Sequence, residues 1–261
     1  MGHKRYGILP RSQRWLDIIR QMGDFSSGAS DVISIAVNTL KNVQKQYGSF
    51  ENDPSVKAAF EFLLRVSHAF TRENPVKYLT ENRILDTDEL SPFKLAKSLA
   101  DYKQDEVRSH EYQSFARQAA MDAITNWYSE NTERGRSLFH EGIDPSAVFH
   151  KVSNGSGFCE LSRLFFSKFT ERYLKYFLER EASAVITNVK DRTKFNKEIG
   201  KHINEISLHA FETSKVAQAY SAGWFNNHVR DSFPPDEEIN YFLKRSFGKM
   251  KSELLREEAD E

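Results

Sequence analysis

Residues 199–224 read IGKHINEISLHAFETSKVAQAYSAGW. Within them Ile199, Ile203, Ile206, Ala210, Thr213, Ala217, Tyr220 and Trp224 follow one another at intervals of 4, 3, 4, 3, 4, 3 and 4. Apolar residues spaced this way form one seam along a helix, repeating every 3.5 residues over almost four heptads. The middle of the seam is small and its ends are large, so a partner helix can approach closely at the centre and splay at both ends. Two partners fit: another helix of the same chain, with 158–187 as the antiparallel candidate, or the seam of a second copy.

Outward from this seam the helical period continues and strand alternation is absent. A helix is expected over about 158–187, with Phe158, Leu161, Phe165, Phe169, Tyr173 and Phe177 on it, and another over about 191–228. Asp236-Glu237-Glu238 opens a last helix with carboxylates at its positive end. Upstream, Asp53-Pro54 and Ser91-Pro92 each place a capping residue before a proline at the first helical position. Shorter helices are expected after Ser12, with Trp15, Leu16, Ile19 and Met22 inward, and after Ser30 or Asp31, with Ile33, Val37, Leu40 and Tyr47 inward. Phe93, Ala96, Leu99 and Tyr102 mark the inner face of the helix after Ser91, and a further helix spans about 105–129. The fold expected is all-α, a bundle-like assembly of eight to ten helices. Residues 131–157, rich in Gly, Asn and Asp-Pro, form an irregular connection between an N-terminal helical region (1–130) and a C-terminal long-helix region (158–261). The two can equally be one continuous domain.

Composition narrows the function classes. The 261 residues carry 37 Lys and Arg against 37 Asp and Glu, which argues against a uniformly basic nucleic-acid coat. Twenty Phe, 10 Tyr and 3 Trp supply a large core, so disorder is not expected. Mean hydropathy is −0.62 and no apolar run approaches a membrane span. A lone cysteine, Cys159, fits a reducing, cytoplasmic location. The neutral total hides local excesses. Residues 1–20 hold Lys4, Arg5, Arg11, Arg14 and Arg20 against Asp17, and residues 163–201 hold ten cations against five carboxylates. Arg163, Lys168, Arg172, Lys175 and Arg180 lie along one expected helix. Together with Lys4, Arg5, Arg11 and Arg14 they can bind the phosphates of a nucleic acid, or they can form a solvated face whose long stems cover aromatic core.

No catalytic set declares itself. Glu106/His110, Glu198/His202 and Glu205/His209 are each four apart, which lets carboxylate and imidazole meet on a helix but does not match a di-iron pattern. No metal or cofactor is expected. Cys159 at a helix start reads as a structural thiol rather than a nucleophile. Arg134-Gly-Arg136-Ser-Leu-Phe-His140 resembles the Arg-x(4–6)-His signature of HEPN-type helical ribonucleases. That resemblance implies that Arg134 steadies a phosphate and His140 moves a proton, although Gly135 departs from the family's helical pattern. Met1-Gly2-His3-Lys4-Arg5-Tyr6-Gly7-Ile8-Leu9-Pro10, with Ser162-Arg163-Leu164-Phe165-Phe166, is similar to accessory helical proteins of bacterial defence operons, which implies an antiviral context and no site. The reading that follows is a non-enzymatic helical subunit that docks to a protein partner or to itself, away from membranes. The alternative is a nucleic-acid-associated protein using a basic helix face. A small-molecule pocket lined by Phe and Tyr is allowed by composition alone.

Overall fold

The computed structural model describes residues 12–43, 47–107, 112–133, 144–212 and 215–260. Of these, 81% are α-helical and none is in a strand, as the all-α reading expects. The helices are α1 (Gln13–Asp24), α2 (Val32–Val43), α3 (Tyr47–Phe50), α4 (Pro54–Ala69), α5 (Pro75–Glu81), α6 (Pro92–Asp101), α7 (Gln104–Val107), α8 (Gln113–Glu133), α9 (Pro145–His150), α10 (Gly155–Val185), α11 (Val189–Glu212), α12 (Lys215–His228) and α13 (Asp236–Asp260).

Local capping sets most starts. Asp53 accepts from the amides of Ser55 and Val56, Ser91 from Lys94, and Asp144 from Ser146, each with proline as the next residue. Asn74-Pro75 uses the same device and opens two turns of helix. Asn154 caps α10 by accepting from Ser156 and Gly157 at 3.0 Å each.

The 31-residue α10, about 46 Å long, is the axis of the molecule. It packs against α8 on one side and against α11 and α12 on another, with α1 and α4 also in contact. Lys175 lies beside Gly200, Lys168 reaches Asn204, and Phe158 stacks on Phe225, so the α11–α12 pair runs antiparallel to α10. At its entry the backbones nearly touch. A side chain at Gly157 would put its Cβ 2.0 Å from the Lys151 carbonyl oxygen, and one at Gly155 would sit 2.7 Å from that of Ala222.

Aromatic rings fill the centre. Phe60 of α4 stacks on Phe242 of α13 at 5.1 Å and meets Phe158, Phe165 and Phe166 of α10. Phe50 packs edge-on against Phe169 and Tyr173. Trp15 links α1 to the far end of α10, meeting the Phe177 ring and donating to Glu181 at 3.4 Å. One hydrophobic cluster therefore runs from Trp15 to Met250 across both sides of the expected connection.

Three residues expected inward are exposed. Trp15, Ile18 and Met22 form the inner stripe of α1, which leaves Leu16 on its flank. In α2 the buried positions are Val32, Ile35, Ala36 and Thr39, turning Ile33 outward. Phe93 is 77% exposed because Leu95, Ser98 and Leu99 face the core, and Phe93 lies two residues, about 200°, away from Leu95. The helix expected over 105–129 is described as α7 and α8, with 108–111 outside the described residues. The one expected over 191–228 is described as α11 and α12, with 213–214 outside the described residues.

Candidate functional site

The basic row of α10, a candidate for phosphate binding, is largely paired with side chains of the fold. Arg172 donates from Nε to Asp122 at 2.8 Å and from Nη1 to Gln118 at 2.8 Å, tying α10 to α8. Lys168 bonds Glu171 at 2.7 Å and Asn204 of α11 at 3.2 Å, and Lys175 also bonds Glu171. Burial pushes the Glu171 carboxyl up, but the two lysine ammoniums outweigh it and hold the group below the ordinary carboxylate range. Arg163 is half-buried beside Cys159, and Arg180 is exposed next to the Tyr176 hydroxyl. Arg14 is exposed on α1, whereas Lys4, Arg5 and Arg11 lie outside the described residues.

The seam is also used within the chain. Ile199 and Ile203 are buried on α11, Trp224 is buried on α12, and Tyr220 is half-buried, its ring stacked on Phe242. Thr213 and the side chains of Ile206, Ala210 and Ala217 lie outside the described residues, as do Arg134 and His140. Of the Glu–His pairs, His202 turns to Glu205 at 3.4 Å rather than to Glu198, and His110 and the His209 side chain lie outside the described residues. Among the described residues no cluster of His, Cys, Asp and Glu is arranged to hold a metal ion. Burial pushes the Cys159 thiol up, against a smaller pull from Arg163, so thiolate is disfavoured.

Two arrangements not singled out by sequence reading emerge. The first is on α11. Lys190, Lys194, Lys197 and Lys201, spaced 4, 3 and 4, form one exposed row about 17 Å long. Phe195, Ile199 and Ile203 bury the opposite face, which forces the lysines outward. The Lys194 and Lys201 side chains are 66% and 73% exposed, and their contacts to Glu198 and Glu205 are loose, at 4.0 and 3.9 Å. Such exposed pairs contribute only about 0–1 kcal/mol and leave the ammoniums available. The row and the exposed Val189 border a shallow depression of about 600 Å³.

The second arrangement is a polar row on α4, at Lys57, Glu61, Arg65 and His68, continued by Arg72 just past its end. Glu61 is 2% exposed, yet both of its carboxylate oxygens are hydrogen-bonded. Arg65 donates to Oε1 at 2.9 and 3.0 Å, Tyr102 to the same oxygen at 2.9 Å, and Lys103 to Oε2 at 2.7 Å. Burial pushes the Glu61 carboxyl up, and these donors bring it below its ordinary range. Lys103 reaches it from a left-handed backbone, φ 47°, a conformation that costs a non-glycine residue roughly 1–2 kcal/mol. Arg65 also lies over the Phe233 ring at 4.0 Å. Farther along the row, His68 approaches the Val229 carbonyl with Nδ1 at 2.6 Å and receives Arg72 at Nε2, at 2.9 Å from Nη2. A guanidinium only donates, so Nε2 must be the unprotonated acceptor and Nδ1 the donor: His68 is the neutral Nδ1–H tautomer. Both rows were readable as spacings of 4 and 3. What was missing was which faces the core would cover.

No helix among the described residues is long and apolar enough to cross a membrane. Comparison with protein-family models, curated proteins and solved structures finds no match to this chain.

Proposed function

We propose that this protein is a non-enzymatic helical subunit that docks to nucleic acid through the outward face of α11. The observation that carries this reading is the exposed row Lys190, Lys194, Lys197 and Lys201, set opposite a buried apolar stripe, with Lys194 and Lys201 only loosely paired to Glu198 and Glu205 at 4.0 and 3.9 Å. Lysine ammoniums act as point charges without planar, bidentate geometry, so they suit a phosphate backbone read without base specificity. The row expected on α10 is less suited, because Lys168, Arg172 and Lys175 are engaged by Glu171 and Asp122.

The reading is tested by fluorescence anisotropy with labelled duplex and single-stranded oligonucleotides. Four phosphate contacts predict a slope of log affinity against log salt of about −3.6 for duplex and about −2.8 for single strands. The variant Lys190→Glu/Lys194→Glu/Lys197→Glu/Lys201→Glu is expected to lose binding and keep its helical circular dichroism. An unbound wild type at low salt, or a variant that binds as well, overturns the proposal. Equal binding of poly-glutamate by the wild type, lost in the same variant, would move the partner to an acidic protein.

A further inference from the structure

A cleft of about 590 Å³ opens where the end of α4, the turn Lys151–Ser153 before α10, and the end of α12 meet. It takes no residue from α11, so it is separate from the lysine row. Arg72, Arg230, His150, Asn154 and Asn226 line it with hydrogen-bond donors. We propose that this cleft binds a small phosphate monoester carrying hydroxyl groups, such as a sugar phosphate.

The argument starts with Arg72. Its Nε and Nη2 are occupied by His68, and Nη2 also donates to the Asp231 carbonyl at 2.7 Å. Nη1 meets no partner among the described residues. The guanidinium is thus fixed from behind by a neutral imidazole, and the cleft side of the group is left for a ligand. Little ordering entropy remains to be lost when an oxyanion arrives. Because His68 brings no negative charge, Arg72 has no direct ion-pair partner among the described residues, unlike Arg172 beside Asp122. Arg230 is exposed and supplies a second guanidinium on the same cleft, and guanidinium groups match the oxygens of phosphate in bidentate geometry.

The remaining lining decides the rest of the ligand. Glu73 and Asp231 share the cleft and form no ion pair with Arg72 or Arg230 among the described residues. Two free carboxylates disfavour a second anionic group and accept hydrogen bonds from hydroxyls. The volume lies within the range of small-molecule sites and exceeds what inorganic phosphate alone would fill. A monoester with a hydroxyl-bearing body uses both parts of the lining.

The test uses ribose 5-phosphate and inorganic phosphate as probes, at constant ionic strength with chloride as the reference anion. Isothermal titration calorimetry measures affinity, and the His150 ring resonances report occupancy of this cleft. Binding of ribose 5-phosphate in the millimolar range or tighter, with a His150 shift, is expected. Arg230→Ala, at an exposed position that leaves the fold intact, should weaken it by roughly ten- to a hundredfold, the worth of hydrogen bonds to a charged group. Arg72→Lys, which keeps the charge and loses the fork, should also weaken it. A wild type that neither binds nor shifts His150 overturns the proposal, as does equal binding by both variants. Inorganic phosphate binding as tightly as ribose 5-phosphate overturns the assignment of a hydroxyl-bearing ligand.

Discussion

Arg72 donates across 2.9 Å to Nε2 of the buried His68, a cation hydrogen-bonded to an imidazole that must stay neutral to receive it. Burial is the largest influence lowering the His68 pKa below its ordinary 6.5, and the charges of Arg72 and Arg65 add to it against the pull of the Val229 carbonyl. In the folded protein the proton is therefore refused at a pH where the unfolded chain accepts it.

It follows that stability depends on this residue below about pH 6.5. The contribution is fully present above that value and is lost as the pH falls through the depressed folded-state pKa. Urea unfolding at pH 8, 6.5 and 5 is expected to give a falling midpoint over the acidic half, and His68→Gln should flatten that slope. An identical slope in the variant would remove His68 from the account.

Glu61, ionised where His68 is neutral, has a larger stake. Its carboxylate is buried and bonded by Arg65, Tyr102 and Lys103, so Glu61→Gln leaves two cations facing a neutral amide. A loss of about 3–5 kcal/mol is expected from chemical denaturation, as for other broken buried pairs. Since the folded pKa lies below the ordinary 4.5, the wild-type contribution holds above about pH 4.5 and disappears as the pH falls through the folded value. A loss under about 1 kcal/mol, typical of exposed pairs, would show that the cluster is solvated.

Two glycines in helices should respond in opposite directions to alanine. At Gly157 the new Cβ would lie 2.0 Å from the Lys151 carbonyl oxygen, so α10 cannot keep its approach to the preceding turn, and a loss of at least about 3 kcal/mol is expected. At Gly223 no atom lies within 4 Å of the new Cβ, and the helix gains up to about 1 kcal/mol. Paired thermal melts decide this, and a stable Gly157→Ala protein would contradict the packing at the entry of α10.

The two basic rows can be separated by one pair of variants. Arg172→Glu places a carboxylate beside Asp122 and should lower stability by about 1 kcal/mol with little change in oligonucleotide affinity. Lys197→Glu should leave the melting curve within experimental error and weaken binding severalfold. The reverse pattern would return the contact face to α10.

A last contrast concerns the aromatic residues. Phe93→Ser, at a position 77% exposed, is expected to change stability by no more than about 0.5 kcal/mol. Phe60→Ala, which removes the ring that stacks on Phe242 and meets three rings of α10, should cost about 3–5 kcal/mol. Equal effects would mean that the first turn of α6 is covered.

By itself the sequence determined that this chain is helical and where many helices begin. Asp53-Pro54 and Ser91-Pro92 act within one turn, because a cap satisfies amides two and three residues away and proline presets its own backbone angle. The spacing of Ile199 and Ile203 likewise announced a buried stripe, and both are buried. Tertiary structure alone decided which charges are spent inside. Arg172 meets Asp122, fifty residues earlier, and Lys103 meets Glu61, 42 residues earlier, so no local pattern announces either pairing. The same holds for Leu16, Ile33 and Phe93, whose exposure depends on how each helix is rotated against its neighbours. Helix formation is governed by contacts one turn apart. The identity of the free face is set by long-range packing, and that is why the lysines of α11 point outward while Lys168, Arg172 and Lys175 of α10 are paired within the fold.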